Sequence, residues 1–161
     1  MLRTLVIGYG NPDRQDDGVA YAVVNALRQR LGQARLDEDE TGLEQLGVSV
    51  DSVFLLQLAP DLLDVAAGYQ RLIVVDAHVF PDAEDVHSVP VRPEYATAAF
   101  THHMTPALFL ALLQTLYGCQ PEGHIVSVRG QGFDFERGLT PATVEQVAPA
   151  VERIQALLAA K

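Results

Sequence analysis

Acidic and histidine side chains in this chain stand where an alternation of strands and helices would bring them together. Asp16 and Asp17 follow the glycine turn 8–10, which ends an apolar run, and Asp76 ends a second apolar run. His102 and His103 lie in a polar stretch just before an amphipathic segment. Two carboxylate oxygens and an imidazole nitrogen suit a divalent transition metal ion with positions open for substrate or water. The residue types therefore indicate metal-assisted or acid–base chemistry.

A structural role is the alternative to a functional one, both for the pair Asp16 and Asp17 and for Asp76. An aspartate at the start of a helix caps it, and a second acid in the first turn interacts favourably with the helix dipole, together worth about 1 kcal/mol. We predict that Asp16 caps a helix and that Asp17 points over the strand ends as an oxygen ligand or an acid–base group. Because an unpaired carboxylate at the end of a buried strand is costly, Asp76 either caps a backbone turn or serves the site.

The glycine turn fits a nucleotide-binding loop poorly. Asp13 occupies the third glycine position of that loop, and Pro12 lacks a backbone N–H that would bind phosphate. Asp13, Asp16 and Asp17 would each repel a pyrophosphate. Nucleophilic catalysis is also disfavoured, since no serine stands in a GxSxG turn and Cys119 follows the end of a predicted helix.

Strands alternate with helices along the chain. Apolar runs at 4–8 and 71–77 are typical of strands buried on both faces, whereas the alternating run 48–56 predicts a half-exposed strand. Pro90 places the strand 86–91 at a sheet edge. The other predicted elements are a strand over 124–129 and helices over 16–31, 60–67, 104–117 and 140–160, the last with Thr140 at its N-cap. This order predicts an α/β fold, a three-layer sandwich whose largely parallel sheet binds ligands at the carboxyl ends of its strands.

Length, charge and cysteine content limit the class of protein. The 161 residues predict a single domain over 1–161. A formal net charge of −10 argues against nucleic acid as a partner. We expect a cytoplasmic protein without a membrane partner, because the sequence shows one cysteine, no secretory signal and no apolar run of about 18 residues. The acidic run 37–40 predicts a solvated loop or, alternatively, a lure for a basic partner or a cation.

Several motifs occur in the order found in the hydrogenase maturation proteases, the endopeptidases that trim the large subunit of NiFe hydrogenases. The motifs that resemble this family are Gly8-Tyr9-Gly10-Asn11 through Asp16-Asp17-Gly18, Val74-Val75-Asp76-Ala77, Thr101-His102-His103-Met104 and the last-helix entry Gly138-Leu139-Thr140-Pro141-Ala142-Thr143-Val144. The resemblance spans nearly the whole chain. It implies an α/β/α sandwich with a twisted five-stranded sheet, in agreement with the pattern of elements.

The resemblance also implies a substrate and a set of ligands. Such an enzyme removes the C-terminal extension of the large-subunit precursor only after nickel insertion, with the precursor's nickel as the recognition element. By motif position Asp17, Asp76 and His102 are its ligands, and His103 replaces His102 if the loop register shifts by one. Nickel binding by the free enzyme would be weak or absent, because three ligands leave the shell incomplete. Either aspartate could act as general base, so both are candidate catalytic residues.

Asn11 and Gln57 are candidate contacts to the substrate tail. Asn11 belongs to the first motif, and Gln57 lies where many family members carry an aspartate-glycine-glycine turn. The segment 55–62 resembles a variant subgroup instead, so Gln57 would take over contacts to the tail. Two other functions stay open: a hydrolase of similar fold with another substrate, such as an aminopeptidase-like or nucleoside-cleaving enzyme, or a non-catalytic metal- or nucleotide-binding accessory protein.

Overall fold

The computed structural model describes residues 2–95 and 104–160, which form a five-stranded sheet with helices on both faces. The strands are β1 (Thr4–Tyr9), β2 (Val50–Leu55), β3 (Arg71–His78), β4 (Val86–Val91) and β5 (Glu122–Arg129). The α-helices are α1 (Val19–Arg30), α2 (Leu63–Ala66), α3 (Pro106–Tyr117) and α4 (Pro141–Ala159), with 3-10 turns at Pro12–Gly18 and Pro60–Leu62.

The sheet has the strand order β2-β1-β3-β5-β4. The pairs β1–β2, β1–β3 and β3–β5 are parallel, and β4 is antiparallel to β5. Pro90 lies in the edge strand β4, where the absence of a backbone N–H removes no hydrogen bond between central strands. The predicted three-layer α/β sandwich with a largely parallel sheet is therefore confirmed.

Each face of the sheet buries its own apolar cluster, because successive side chains of a strand point to opposite faces. Val6 and Ile73 pack with residues of α1 and α4, whereas Leu5 and Leu72 pack with residues of α2 and α3. These four side chains are at most 1% exposed. The central strands β1 and β3 are thus held from both sides, which gives their carboxyl ends a rigid support.

The expectation that β2 is half-exposed is wrong. The strand lies at the sheet edge, yet all but its last residue are buried, since the loop 31–49 covers it. The N–H of Phe54 donates to the carbonyl oxygen of Thr41 at 2.9 Å, and the guanidinium of Arg28 donates to both oxygens of Ser52. Polar residues produced the alternating pattern, but buried hydrogen bonds satisfy them and close the free edge.

The first helix begins later than predicted. A 3-10 turn with a kink occupies Pro12–Gly18, and α1 starts at Val19. Gln15 interrupts the helical backbone with φ of +46° and ψ of −116°, a region that non-glycine residues rarely adopt. Among the described residues, no helix combines the length and apolar character that crossing a membrane requires.

Candidate active site

The carboxyl ends of β1 and β3 lie side by side, because the two strands are parallel neighbours. Their register pairs Gly8 with Val75, which places Asp76 one residue beyond the last paired position. Asp17 lies in the turn that follows β1, and its charge raises the pKa of Asp76. The structure thus brings the two predicted carboxylates close enough to interact at one edge of the sheet, where ligands of such sheets bind.

A tight turn fixes the position of Asp17. Gly10 has φ of +147°, and a Cβ at this position would lie 1.9 Å from the backbone oxygen of Asp17, so only glycine fits. The N–H of Asn11 donates to Oδ2 of Asp17 at 2.9 Å. Oδ1 of Asp17 accepts no hydrogen bond from the described residues. The hydrogen bond to Oδ2 therefore orients the carboxylate, while Oδ1 has no donor in residues 2–95 and 104–160.

Asp76 has an unusual acidity. Burial raises the pKa of its carboxyl to about 6, and the charge of Asp17 adds to the rise. Hydrogen bonds from the Ala77 N–H, at 2.7 Å, and from the Tyr9 hydroxyl oppose it. A carboxylate whose pKa approaches neutrality is suited to accept a proton as a general base.

Tyr9 is a neighbour of the site that sequence reasoning missed. Burial and the negative charge of Asp76 raise the pKa of its hydroxyl well above the ordinary value, so that it stays a proton donor. The available signal was the parallel register. Because Gly8 pairs with Val75, the next residues, Tyr9 and Asp76, lie on the same face of the sheet.

Asp16 does not cap α1, so that prediction is wrong. Gly18 occupies the N-cap position of α1, while the kink at Gln15 directs the fully buried Asp16 carboxylate to a distant loop. There it accepts hydrogen bonds from the N–H groups of Gln131 (2.7 Å), Gly132 (3.0 Å) and Thr140 (2.8 Å) and from the Thr140 hydroxyl (2.7 Å).

The same contacts explain the acidity of Asp16. Burial acts to raise the pKa of its carboxyl, but the hydrogen bonds from Thr140, Gln131 and Gly132 outweigh it, and the net shift is downward. Thr140 stands at the N-cap of α4, as predicted, with Pro141 following it, and gives its hydroxyl to Asp16. Asp16 is therefore an ionised anchor that ties the turn after β1 to the start of α4.

The third predicted metal ligand falls outside the part of the chain that the structure describes. His102 and its alternative His103 both lie there, so their assignment stays a prediction. Within residues 2–95 and 104–160, no three histidine, cysteine, aspartate or glutamate side chains are grouped to hold a metal ion. Among the described histidines, His78 is buried in the sheet, with Nδ1 at 2.8 Å from the Ser127 hydroxyl oxygen.

The two predicted substrate contacts, Asn11 and Gln57, line adjacent cavities of about 290 and 340 Å³. Both cavities are lined by Glu38, Phe54 and Leu56, so they adjoin along these residues, and together they are here called the β2 groove. The structure places Asn11 at one end, where its N–H is bonded to Asp17, and the exposed Gln57 at the other. The groove thus leads away from the carboxylate edge.

Comparison with known proteins supports the resemblance seen in the sequence. The chain is 28% identical over 167 residues to the hydrogenase 2 maturation protease of Escherichia coli strain K12, an alignment covering 98% of this chain and 91% of the relative. No protein-family profile matches the chain.

Solved structures agree. The hydrogenase maturating endopeptidase HybD from Escherichia coli superposes with a TM-score of 0.70 and 26% identity, covering 97% of this chain and 91% of the other. The NiFe hydrogenase maturation protease HybD from Thermococcus kodakarensis shares the fold, with a TM-score of 0.67 at 19% identity over 96% and 98% of the two chains. The resemblance to the hydrogenase maturation proteases is therefore confirmed in sequence and in fold.

Proposed function

We propose that this chain, which resembles the hydrogenase maturation proteases over nearly its full length, is a processing endopeptidase. Its substrate is the large-subunit precursor of a NiFe hydrogenase, from which it removes the C-terminal extension after nickel insertion. The observation that carries this proposal is the pair Asp17 and Asp76 at one strand edge, one with an open oxygen and the other with a raised pKa. The names of the similar proteins, which are maturation proteases, support it.

Nickel recognition follows from the donor set. Asp17, Asp76 and His102, or His103 in the shifted register, offer oxygen and nitrogen atoms that complement thiolate ligands from the precursor. Three protein ligands leave the coordination shell of the nickel ion incomplete. We therefore propose that the nickel arrives with the substrate, and that the free enzyme binds it weakly or not at all.

Asp76 is the proposed general base. With its pKa near 6, the carboxylate is ionised at neutral pH and can take a proton from the water that attacks the scissile carbonyl carbon. The Tyr9 hydroxyl, which remains protonated, interacts with Asp76 and favours its ionised form. The proton held by Asp76 then passes to the leaving amine, which restores the carboxylate.

The surroundings support this assignment over the alternatives. The partly exposed Asp17 lies in the turn after β1, and its charge opposes binding of a nucleotide phosphate there. The net charge of −10 also opposes binding to nucleic acid. We propose a cytoplasmic enzyme that acts on a protein substrate.

The test incubates the enzyme with nickel-loaded and nickel-free large-subunit precursor and follows the loss of the extension by mass spectrometry. We expect trimming of the loaded form only, and none by the Asp17→Asn variant. Equal trimming of both forms would overturn nickel recognition. If folded enzyme leaves loaded precursor from every candidate hydrogenase intact, the proposed function is wrong.

The same assay assigns the histidine. We expect His102→Ala to abolish trimming of the loaded precursor and His103→Ala to leave it within about twofold of the wild-type rate, because His102 matches the family's ligand position. The opposite result would move the ligand to His103. Full activity in both variants would remove histidine from the proposed ligand set.

A further inference from the structure

The β2 groove has an apolar floor that the proposed chemistry does not use. Its apolar lining residues include Phe54, Leu55, Leu56, Leu62, Val65 and Leu139. Leu56, which both cavities share, is 72% exposed, and Leu43, which also lines the groove, is 37% exposed. Exposed leucines that border a groove mark a surface suited to a partner.

Carboxylates surround this floor. The acidic residues that line the groove are Asp13, Glu38, Asp39, Glu40 and Asp61, against one basic lining residue in the described part of the chain, Arg137. Arg137 is already paired, at 2.7 Å to Asp13 and 2.5 Å to Glu38. Asp39 and Asp61 are exposed and form no ion pair within residues 2–95 and 104–160. The groove therefore presents uncompensated negative charge beside apolar surface.

We propose that the β2 groove binds a segment of the precursor's C-terminal extension that carries lysine or arginine side chains beside apolar ones. This inference rests on the proposed function and names the chemistry of the tail. Its apolar side chains would cover Leu56 and the floor, while its cations would approach Asp39 and Asp61. The acidic run 37–40, which the sequence left open as a lure for a basic partner, then supplies part of the rim.

Charge and continuity decide the occupant. A second copy of this chain would bring a net charge of −10 to an acidic groove and be repelled, whereas a basic segment is attracted. Asn11 lines the groove, and its N–H is bonded to the Asp17 carboxylate at 2.9 Å. A tail that lies in the groove therefore passes Asn11, which is bonded to one of the proposed nickel ligands.

Peptide binding without cleavage tests the groove separately from the enzyme's activity. The probes are fluorescein-labelled eight-residue peptides of alternating leucine and lysine or alternating leucine and glutamate, measured by fluorescence polarisation. We expect the lysine peptide to bind at least about tenfold more tightly than the glutamate peptide. The Asp39→Asn/Asp61→Asn variant should weaken its binding about three- to tenfold, and Leu56→Ser by a similar factor.

A matched variant controls for overall charge. Glu145→Gln/Glu152→Gln removes the same charge from two exposed positions of α4 and should leave peptide affinity within about twofold of wild type. Equal weakening in this control, or equal affinity for both peptides, would overturn the proposal. Self-association of the protein that Leu56→Ser abolishes would assign the groove to a second copy and also overturn it.

Kinetics with nickel-loaded precursor separates this inference from the proposed function. In the Asp39→Asn/Asp61→Asn variant we expect KM to rise about three- to tenfold while kcat stays within about twofold. Unchanged KM with normal trimming would refute the groove and leave the processing function standing. Absence of trimming by the wild-type enzyme refutes the processing function, whatever the peptides show.

Discussion

Asp16 and Asp17 are adjacent in the chain, yet they occupy opposite kinds of environment. Asp16 is fully buried and accepts four hydrogen bonds, all from Gln131, Gly132 and Thr140. Asp17 is partly exposed and, within the described residues, accepts a hydrogen bond only on Oδ2, from the N–H of Asn11. Asp16 is therefore a structural anchor, whereas Asp17 belongs to the proposed active site.

The difference shows how the fold separates stability from function. A buried carboxylate is tolerated where several donors compensate its desolvation, as at Asp16. In the proposed active site, ionisation of Asp76 is unfavourable, since burial and the charge of Asp17 raise the pKa of its carboxyl to about 6. Groups held at such a cost are candidates for binding or catalysis.

The largest expected effect comes from removing either aspartate of the proposed active site. Asp17→Ala and Asp76→Ala should each reduce trimming of nickel-loaded precursor by at least about 100-fold, because each removes a proposed ligand and Asp76 also the base. The folded structure should persist, as measured by circular dichroism. Loss of the fold in either variant would favour a structural role for that aspartate.

The next largest effect is on stability and comes from removing the buried anchor Asp16. Asp16→Ala should lower the free energy of unfolding by about 3 kcal/mol, since it leaves four partly buried donors without this acceptor. Thermal denaturation should show a midpoint about 6–12 °C lower. Asp17→Asn serves as the matched control and should shift the midpoint by less than about 3 °C. Equal denaturation midpoints for the two variants would contradict the assignment of Asp16 to structure and of Asp17 to the proposed active site.

The smallest effect concerns pH and has opposite signs at the two places. Because the folded-state pKa of Asp76 is raised to about 6, ionisation costs the folded state stability that is regained as the pH falls from above 6 to below about 4. Asp76→Asn should therefore stabilise the protein by about 1–2 kcal/mol at pH 8 and by almost nothing at pH 4. Urea unfolding at both pH values measures this difference.

Asp16 should respond in the reverse sense. Its pKa is lowered in the folded state, so its contribution to stability is present above the ordinary aspartate pKa and is lost as the pH falls through the folded value. Asp16→Asn should destabilise the protein at pH 7, with a deficit that shrinks under acidic conditions. A stabilising Asp16→Asn or a destabilising Asp76→Asn at neutral pH would contradict the comparison.

Much of the fold could be predicted from local sequence. Continuous apolar runs identified the central strands β1 and β3, and Pro90 identified the edge strand, because burial on both faces and a missing N–H leave marks in the sequence itself. The burial of β2 escaped prediction. Its polar residues are satisfied by a loop, and the alternation of residue types does not record hydrogen-bond partners.

The site shows the same limit. Strand topology predicts that Asp17 and Asp76 share an edge, and the structure places them there. The role of Asp16 could not be predicted from spacing, since its partner Gln131 is 115 residues away in sequence. The preference of aspartate for the N-cap position favoured a cap, but the backbone kink at Gln15 directs the Asp16 side chain away from the start of α1.

The most direct test compares binding of the wild-type enzyme and of Asp17→Asn to nickel-loaded and nickel-free precursor, with cleavage prevented by low temperature and short contact on a biosensor surface. We predict that wild type binds the loaded precursor at least about tenfold more tightly, and that Asp17→Asn, with unchanged thermal stability, binds both forms alike. Equal binding of the two forms by wild type, or preserved preference in Asp17→Asn, would contradict the assignment of this strand edge to nickel recognition.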